Sequence, residues 1–305
     1  MSLPLSANRV ALITYSGVPA ITTDDRLLRD ALVARGVEVE ARPWDASADW
    51  SSFHRIVLRS CWNFHHRPAD FRGWVNDVKE RHDGSLMNGP ALVQWSVDKR
   101  YLQDLRDRGI SIVPTVWVSA GESTEAPDLG ALIAEQGWEG GTVVKPAISA
   151  TAHQTWRIGP DEAATHQARF ASLLTSSPGG AMVQPFLPEI EEGEWSLVFL
   201  GGEFSHAVRK RPAAGDFRVQ HDFGGTIERL EPDAALVEDA RAVLGAAAEA
   251  TDTAVEDILY ARVDGVAREG RLLLMELELI EPVLFFAQAP GAAARMADLI
   301  VASSA

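Results

Sequence analysis

Three carboxylates in the last quarter of the chain have the spacing of a metal site. Glu276 and Glu278 lie two residues apart in a leucine-rich run, and Asp264 lies in the apolar segment before it. Alternate residues of a strand share a face, so two paired strands would bring all three together. Oxygen ligands without His or Cys nearby favour Mg2+, with Mn2+ as the alternative. An edge strand with one solvated face would show the same alternation.

Basic residues upstream are of the types that contact phosphate groups. Lys145 ends an apolar segment and precedes a loop of small residues, whose backbone N–H groups can approach phosphate oxygens. Lys99 lies in a predicted helix, and Lys210 and Arg218 lie in a basic stretch of an acidic chain. Each of them could equally be a solvated surface charge.

The elements that would position these residues alternate between strands and helices in the first third of the chain. Apolar runs predict strands at 9–15, 37–42 and 55–60, and helical periodicity predicts helices at 24–35 and 69–81. This alternation indicates a parallel sheet covered by helices.

The remaining sequence favours two mixed lobes. Ser96 has the position of an N-cap for a helix through residue 108. Further helices are predicted at 161–174 and 233–250, and further strands at 112–119, 142–146, 181–186, 195–200, 203–211, 259–266 and 272–279. The predicted domains are an N-terminal α/β domain (1–90), a central lobe (91–186) and a C-terminal lobe with the metal site (187–305).

The composition narrows the classes of function. The chain has 305 residues, 46% of them hydrophobic, which is enough for a substantial core. Its formal net charge of -15 argues against DNA and RNA as partners. Cys61 is the only cysteine, which excludes an internal disulfide framework and fits the cytoplasm. No stretch approaches the roughly 20 apolar residues that span a bilayer, so no membrane partner is expected.

Taken in chain order, the motifs resemble those of the ATP-grasp family, and most closely bacterial glutathione synthetase from about residue 88 to residue 282. The matching segments are Asn88-Gly89-Pro90 before a helix with Lys99, Val143-Val144-Lys145-Pro146, Val183-Gln184-Pro185-Phe186, Gly224-Gly225, Ala261-Arg262-Val263-Asp264 and Glu276-Leu277-Glu278-Leu279-Ile280-Glu281-Pro282. The resemblance implies an α/β ATP-grasp fold. In it, an N-terminal Rossmann-like domain (a pre-ATP-grasp domain) precedes two α+β lobes that clamp the nucleotide.

The resemblance also implies roles for individual residues. Carried over by position, these are nucleotide binding by Lys99, Lys145, Gln184, Pro185, Phe186 and Glu194, metal binding by Asp264, Glu276 and Glu278, and catalysis by Arg262, Lys210 and Arg218. The hinge formed by residues 184–186 would bind adenine. Glu194 would hold the ribose, with Glu191 and Glu192 as alternatives.

Three departures from glutathione synthetase bear on the activity. Glu278 stands where that family usually has asparagine, which adds a carboxylate to the metal site. Arg262 resembles an arginine of D-alanine:D-alanine ligases that stabilises charge on the reacting acyl group. Residues 149–153 replace the glycines of the phosphate lid. Glutathione is therefore not the expected product.

The function implied by the resemblance is that of an ATP- and Mg2+-dependent, ADP-forming ligase. It would join a carboxylate to an amine-type nucleophile through an acyl phosphate, on a small-molecule substrate such as an amino acid or short peptide derivative. The segment 59–62 and the run 276–282 also resemble proteins grouped with the cycloserine-forming cyclo-ligase, so ring closure is an alternative. A kinase and a noncatalytic ATP-binding module are further alternatives.

The substrate is expected at loops that follow the first strands, where open parallel sheets usually bind ligands. Arg59, Ser60, Trp62 and Asp25 offer a cation, an anion, a hydroxyl and an aromatic ring there. Asp25 could equally be a first-turn helix acid, and Trp62 a packing residue. The apolar segment 283–286 could line the pocket, form a homodimer contact or pack in the core, and core packing is favoured.

Overall fold

The described part of the chain builds three β-sheets in sequence order. The structure is a computed structural model and describes residues 9–82, 85–119, 126–213 and 224–303. Its strands are β1 (Arg9–Thr14), β2 (Glu38–Pro43), β3 (Arg55–Leu58), β4 (Leu86–Met87), β5 (Val116–Val118), β6 (Thr142–Pro146), β7 (Trp156–Ile158), β8 (Ala181–Pro185), β9 (Glu194–Leu200), β10 (Glu203–Arg211), β11 (Thr226–Arg229), β12 (Tyr260–Arg268) and β13 (Arg271–Glu278). Its α-helices are α1 (Thr23–Val33), α2 (Pro68–Arg81), α3 (Pro90–Ser96), α4 (Tyr101–Asp107), α5 (Leu129–Gln136), α6 (Ala163–Ser176), α7 (Ala234–Thr251) and α8 (Ala292–Ala302).

The first sheet is parallel, as the alternation of strands and helices predicted. Its strand order is β2-β1-β3-β4, and β1 pairs in parallel with both β2 and β3. Leu12 packs in a cluster with residues of α1 and α8, whereas Ile13 packs in a cluster with residues of α2. Both faces of β1 are therefore covered, which is why it is a continuous apolar run. The loops after β1 and β3 open at the same edge of the sheet.

The second sheet, in the order β5-β8-β6-β7, is antiparallel and carries the predicted phosphate lysine and hinge. Lys145 lies near the end of β6, and the hinge begins on the neighbouring strand β8. Val144 and Val183 pack with residues of α5 and α6 on one face. This packing leaves the lysine and the hinge on adjacent strands.

The third sheet, in the order β11-β10-β9-β12-β13, is antiparallel and is covered on both faces at its centre. Leu197 and Phe199 of β9 pack in a cluster with residues of α7, whereas Val198 and Leu200 pack in a cluster with residues of α8. All seven residues of β9 are consequently buried. At the sheet edge, β13 is partnered by the segment before β5, since the Val113 N–H donates to the Leu274 carbonyl over 3.0 Å.

The segment that connects the first sheet to the rest of the chain, residues 88–108, forms two short helices and not the single helix from Ser96 that the sequence predicted. Pro90 is the first residue of α3, where its missing N–H costs no helical hydrogen bond. α3 ends at Ser96, whose hydroxyl donates to the Val93 carbonyl over 3.1 Å. The prediction that Ser96 caps a helix through residue 108 is therefore wrong, because the chain bends between α3 and α4.

Asn88 fastens this segment to the third sheet. Its side-chain amide donates to the carbonyls of Tyr260 and Leu279, at 2.8 Å each, and its side-chain oxygen accepts from the Tyr260 N–H over 3.3 Å. Asn88 also adopts a left-handed backbone with φ 71°, which asparagine tolerates better than most residues.

We expect Asn88→Ala to lower the free energy of unfolding by roughly 2–4 kcal/mol, because three buried hydrogen bonds are lost. Urea unfolding followed by circular dichroism measures the change. Asn76→Ala, at an exposed position on α2 where Asn76 Oδ1 accepts one solvent-exposed hydrogen bond from Gln94 over 3.2 Å, is the control and should change stability by less than about 0.5 kcal/mol. Equal losses in the two variants would contradict the role given to Asn88.

No helix in the described ranges is both long and apolar enough to cross a membrane. Each of the three predicted domains contains one of the sheets. The boundaries at residues 90 and 186 stay a prediction.

Candidate active site

A cavity of about 410 Å3 is lined by residues of the second and third sheets and by Trp62 from the loop after β3. Pockets that hold small ligands span roughly 300–1,000 Å3. Its charged lining residues are Lys99, Lys145, Glu194, Lys210, Arg262, Asp264, Glu276, Glu278 and Glu281. Most residues singled out in the sequence therefore face one space.

The β12–β13 hairpin positions the acidic residues by its register. Asp264 lies opposite Glu276, and Arg262 lies opposite Glu278. Arg262 donates from Nη2 to Asp264 Oδ2 over 2.8 Å and also contacts Glu278. Lys210 Nζ, from β10, lies 3.5 Å from Asp264 Oδ2. The chain itself thus supplies cations that offset the buried carboxylates.

Burial and these cations move the pKa values of two of the acids in opposite directions. Burial would raise the pKa of Asp264, but Arg262 and Lys210 outweigh it and lower the pKa to about 2. At Glu278, burial outweighs Arg262 and raises the pKa to about 7. Asp264 is therefore a carboxylate at neutral pH, whereas Glu278 is close to its midpoint before any cation binds.

The two predicted phosphate lysines differ in how many partners they have. Lys99 Nζ lies 2.9 Å from Glu276 Oε1 and donates to the carbonyl and the hydroxyl of Ser149, over 2.6 and 3.2 Å. These contacts use all three ammonium protons. Lys145 has no such partner among the described residues, and burial lowers its pKa although Glu276 opposes the shift. Lys145 is therefore free to meet an incoming anion.

The predicted hinge is only partly free to bind adenine. Gln184, Pro185 and Phe186 line the cavity, but the Phe186 N–H donates to the Gly141 carbonyl over 2.9 Å. Pro185 has no N–H, so Leu187 supplies the next backbone donor along the chain. Apolar side chains that also line the cavity include Val113, Val143, Ile190, Ile227 and Met275.

Glu194 is the best placed of the three acids considered for the ribose. It lines the cavity, whereas Glu191 and Glu192 are exposed outside it. Lys210 Nζ contacts the Glu194 carboxylate, and burial raises the Glu194 pKa although Lys210 opposes the shift. The pair joins β9 to β10 across the floor of the site.

Glu281 and Phe285 are among the cavity residues that were not predicted as site residues. Burial, together with Glu278, raises the pKa of Glu281 well above its usual value. Phe285 has a left-handed backbone with φ 53°, and its ring centre lies 5.6 Å from the Arg262 guanidinium carbon. Glu281 could have been predicted, because it belongs to the segment 276–282 that resembles the ATP-grasp family. Nothing in the sequence indicates the left-handed φ of Phe285.

The carboxylates fit a hard divalent ion better in chemistry than in spacing. The side chains of Glu276 and Glu278 are 28% and 24% exposed, whereas Asp264 is 5% exposed and accepts from Arg262 and Ser196. Across the described ranges, the three do not form a set with oxygens within 4.8 Å of one another. Glu276 and Glu278 offer accessible carboxylate oxygens, and metal binding by the three residues stays a prediction.

Comparison with known proteins connects this geometry to a family. The family model for the N-terminal domain of D-cycloserine synthetase DcsG matches residues 10–88, and the model for the ATP-grasp domain of prokaryotic glutathione synthetase matches residues 113–246. The cycloserine biosynthesis protein DcsG of Streptomyces lavendulae is 30% identical over 304 residues, which cover 95% of this chain and 97% of that protein. The chain belongs to the ATP-grasp family.

Solved structures of ATP-grasp ligases share the fold over nearly the whole chain. The crystal structure of D-cycloserine synthetase DcsG matches with a TM-score of 0.86 and 27% identity, covering 98% of this chain and 100% of that one. A D-alanine–D-alanine ligase from Bacillus anthracis matches with a TM-score of 0.68 at 15% identity over 97% of each chain, a likeness of fold alone. The predicted ATP-grasp fold and family resemblance are confirmed. The chain is an ADP-forming carboxylate-amine ligase of a family that uses ATP and Mg2+.

Of the predicted substrate residues of this ATP-grasp ligase, only Trp62 lines the cavity. Arg59 Nε donates to Asp25 over 2.7 Å, and both side chains are almost fully buried. Ser60 is fully buried as well. Their binding of substrate stays a prediction, and the geometry gives Arg59 and Asp25 a structural role. Arg218 lies outside the described residues.

Proposed function

We propose that this ATP-grasp ligase uses ATP to activate the carboxylate of an amino-acid-sized substrate and then joins it to an amine-type nitrogen. The observation that carries the proposal is a single cavity lined both by Lys145, whose ammonium group has no ion-pair or hydrogen-bond partner among the described residues, and by the accessible carboxylates of Glu276 and Glu278. Lys145 would bind the phosphates of ATP, while Glu276 and Glu278 would hold Mg2+. A divalent ion there would offset the negative charge of the phosphates.

The reaction runs in two steps that balance. An oxygen of the substrate carboxylate attacks the γ-phosphorus of ATP, and ADP leaves with the electrons of the broken P–O bond. The nitrogen then attacks the carbonyl carbon of the acyl phosphate, inorganic phosphate leaves, and the nitrogen loses a proton to solvent. The new bond is an amide.

Arg262 is placed to stabilise the oxyanion of the second step. Its Nε and Nη2 donate to Asp264 and Glu278, and one Nη1 proton binds the Val283 carbonyl over 3.0 Å. A guanidinium has five N–H groups, so one Nη1 proton is left to donate to the developing charge.

Ring closure within one substrate molecule is the second candidate function. The whole-chain similarity to the cycloserine biosynthesis protein of Streptomyces lavendulae favours it. In that case the attacking nitrogen belongs to the side chain of the activated amino acid.

A screen of amino acids and amines, with ADP and phosphate measured separately, tests the proposal. Ligation releases both, whereas a kinase keeps the phosphate on its product and a noncatalytic module releases neither. Amino acids with a nucleophilic nitrogen on the side chain should be included alone and with a second amine. Turnover without the second amine, with a cyclic product by mass spectrometry, would select ring closure.

We expect Lys145→Met to weaken binding of a nonhydrolysable ATP analogue by roughly 10- to 100-fold, because a charge-assisted contact to phosphate contributes about 1.5–3 kcal/mol. Calorimetric titration in the presence of Mg2+ measures the change. Lys79→Met, at an exposed position on α2, is the matched control and should bind as the wild type does. Unchanged affinity in Lys145→Met would remove this lysine from the phosphate site.

The proposed activity implies a small-molecule partner. The acidic net charge of -15 argues against a nucleic acid as a partner. The single cysteine, Cys61, is free and buried, which suits the cytoplasm. A homodimer stays a prediction. Leu284, Phe285 and Phe286 of the segment proposed for that contact are buried within the chain.

A further inference from the structure

Three histidines from two separate segments meet beside the cavity. His65 and His66 follow β3, and His153 lies in the loop after Lys145. The ring centres of His65 and His66 lie 3.9 Å apart, and that of His153 lies 5.0 Å from each. One nitrogen from each ring lies within 4.8 Å of the other two. Across the described ranges, no other three His, Cys, Asp or Glu side chains have this spacing.

His65 is the most buried residue of this cluster. The residue is 9% exposed, and neither ring nitrogen has a hydrogen-bond partner of normal geometry in the described part of the chain. A buried polar group without a partner costs about 1–3 kcal/mol. A ligand that accepts the lone pair of a ring nitrogen would remove this cost.

We propose that His65, His66 and His153 bind a divalent transition-metal ion of the zinc class. Imidazole nitrogen suits Zn2+, Ni2+ and Cu2+, whereas Mg2+ prefers oxygen ligands. Zn–N bonds of about 2.0–2.1 Å in a tetrahedral site place the nitrogens roughly 3.4 Å apart. Small side-chain rotations of His66, which is exposed, and His153, which is half-buried, would reach that spacing. Water can supply the fourth ligand from the exposed side.

The ion would join the loop after β3 to the loop after β6. Thr151, Ala152 and Gln154 of the latter loop have left-handed backbones, with φ of 53°, 54° and 51°. Residues other than glycine and asparagine rarely adopt this backbone conformation, so the loop is strained. Contacts from another part of the chain are needed to hold it. A metal bridge to His153 would supply that support. The three histidines include none of the carboxylates of the cavity, although Thr151 and Ala152 of the same loop line it. The zinc titration therefore tests this site by metal binding and not by ligase activity.

The test is a titration of the metal-free full-length protein with Zn2+ alone, in competition with a chromogenic chelator. We expect one Zn2+ per chain, and we expect His66→Gln and His153→Gln each to weaken binding at least tenfold. Both residues are at least partly exposed, so neither substitution should prevent folding. His166→Gln, on α6 outside the cluster, is the matched control and should bind Zn2+ as the wild type does. Millimolar Mg2+ should not displace the zinc.

Thermal unfolding gives a second measurement that does not depend on activity. Zn2+ should raise the Tm of the wild type and of His166→Gln but not that of the double variant His66→Gln/His153→Gln, since an ion that binds only the folded state stabilises it. The proposal is overturned if the double variant binds Zn2+ as tightly as His166→Gln. It is also overturned if the wild type binds no Zn2+.

Discussion

Replacement of Glu276 by glutamine is expected to lower turnover by about 10²–10³-fold or more while the fold is kept. Glu276 lines the cavity, lies opposite Asp264 across the hairpin and pairs with Lys99 over 2.9 Å. Glutamine keeps the shape of the side chain but removes the negative charge that would hold a cation and that fixes Lys99. The loss should therefore appear in kcat, with ADP release as the measurement.

Glu269→Gln is the matched control for this variant. Glu269 is exposed in the turn between β12 and β13, in the same hairpin but outside the cavity lining. It should turn over as the wild type does. Wild-type turnover in Glu276→Gln, with the control also unchanged, would show that the carboxylate hairpin is not part of the active site. Circular dichroism of both variants checks that the sheet is intact.

The largest expected loss of stability comes from Arg59→Met. Arg59 is 1% exposed, donates to Asp25 over 2.7 Å and donates to the Pro282 carbonyl over 2.8 Å. Its guanidinium carbon also lies 5.1 Å from the ring centre of Tyr260. The substitution leaves the Asp25 carboxylate buried without its counter-charge, and breaking one side of a buried pair typically costs about 3–5 kcal/mol.

Urea unfolding of the single and double variants separates lost pairing from lost packing. Arg59→Met/Asp25→Leu should be more stable than Arg59→Met alone, because the second change removes the unpaired charge. Arg29→Met, from an exposed pair with Asp30, should change the free energy of unfolding by less than about 1 kcal/mol. A double variant less stable than Arg59→Met would show that the unpaired charge is not the cause of the loss.

The sequence was sufficient to predict most of the strands and helices and most of the charged cavity residues, but not β4, β7, β11, α5 or α8. Strand periodicity placed Glu276 and Glu278 on one face, and the hairpin brought Asp264 beside them. The prediction that Ser96 is an N-cap was wrong because a serine next to a helical pattern can lie either at the start or at the end of a helix. In the structure Ser96 is the last residue of α3. Pro90 is the better indicator of the helix start, because proline fixes φ at a helical value and is favoured at the first helical position.

What the sequence could not predict are contacts between residues far apart in the chain. Lys99 appeared equivalent to Lys145, yet in the structure its protons are taken by Ser149 and Glu276, which lie 50 and 177 positions away. Arg262 was predicted as an oxyanion ligand, but most of its donors neutralise neighbouring acids. The histidine cluster likewise depends on two loops that only the folded chain brings together.

Transfer of oxygen from the substrate to phosphate tests the central claim most directly. The wild-type protein is incubated with ATP, Mg2+ and an amino-acid substrate from the screen, whose carboxylate carries ¹⁸O, and the released phosphate is analysed by mass spectrometry. Activation through an acyl phosphate predicts one ¹⁸O atom in each phosphate and equal amounts of ADP and phosphate. Phosphate without the label, or release of AMP in place of ADP, would contradict it.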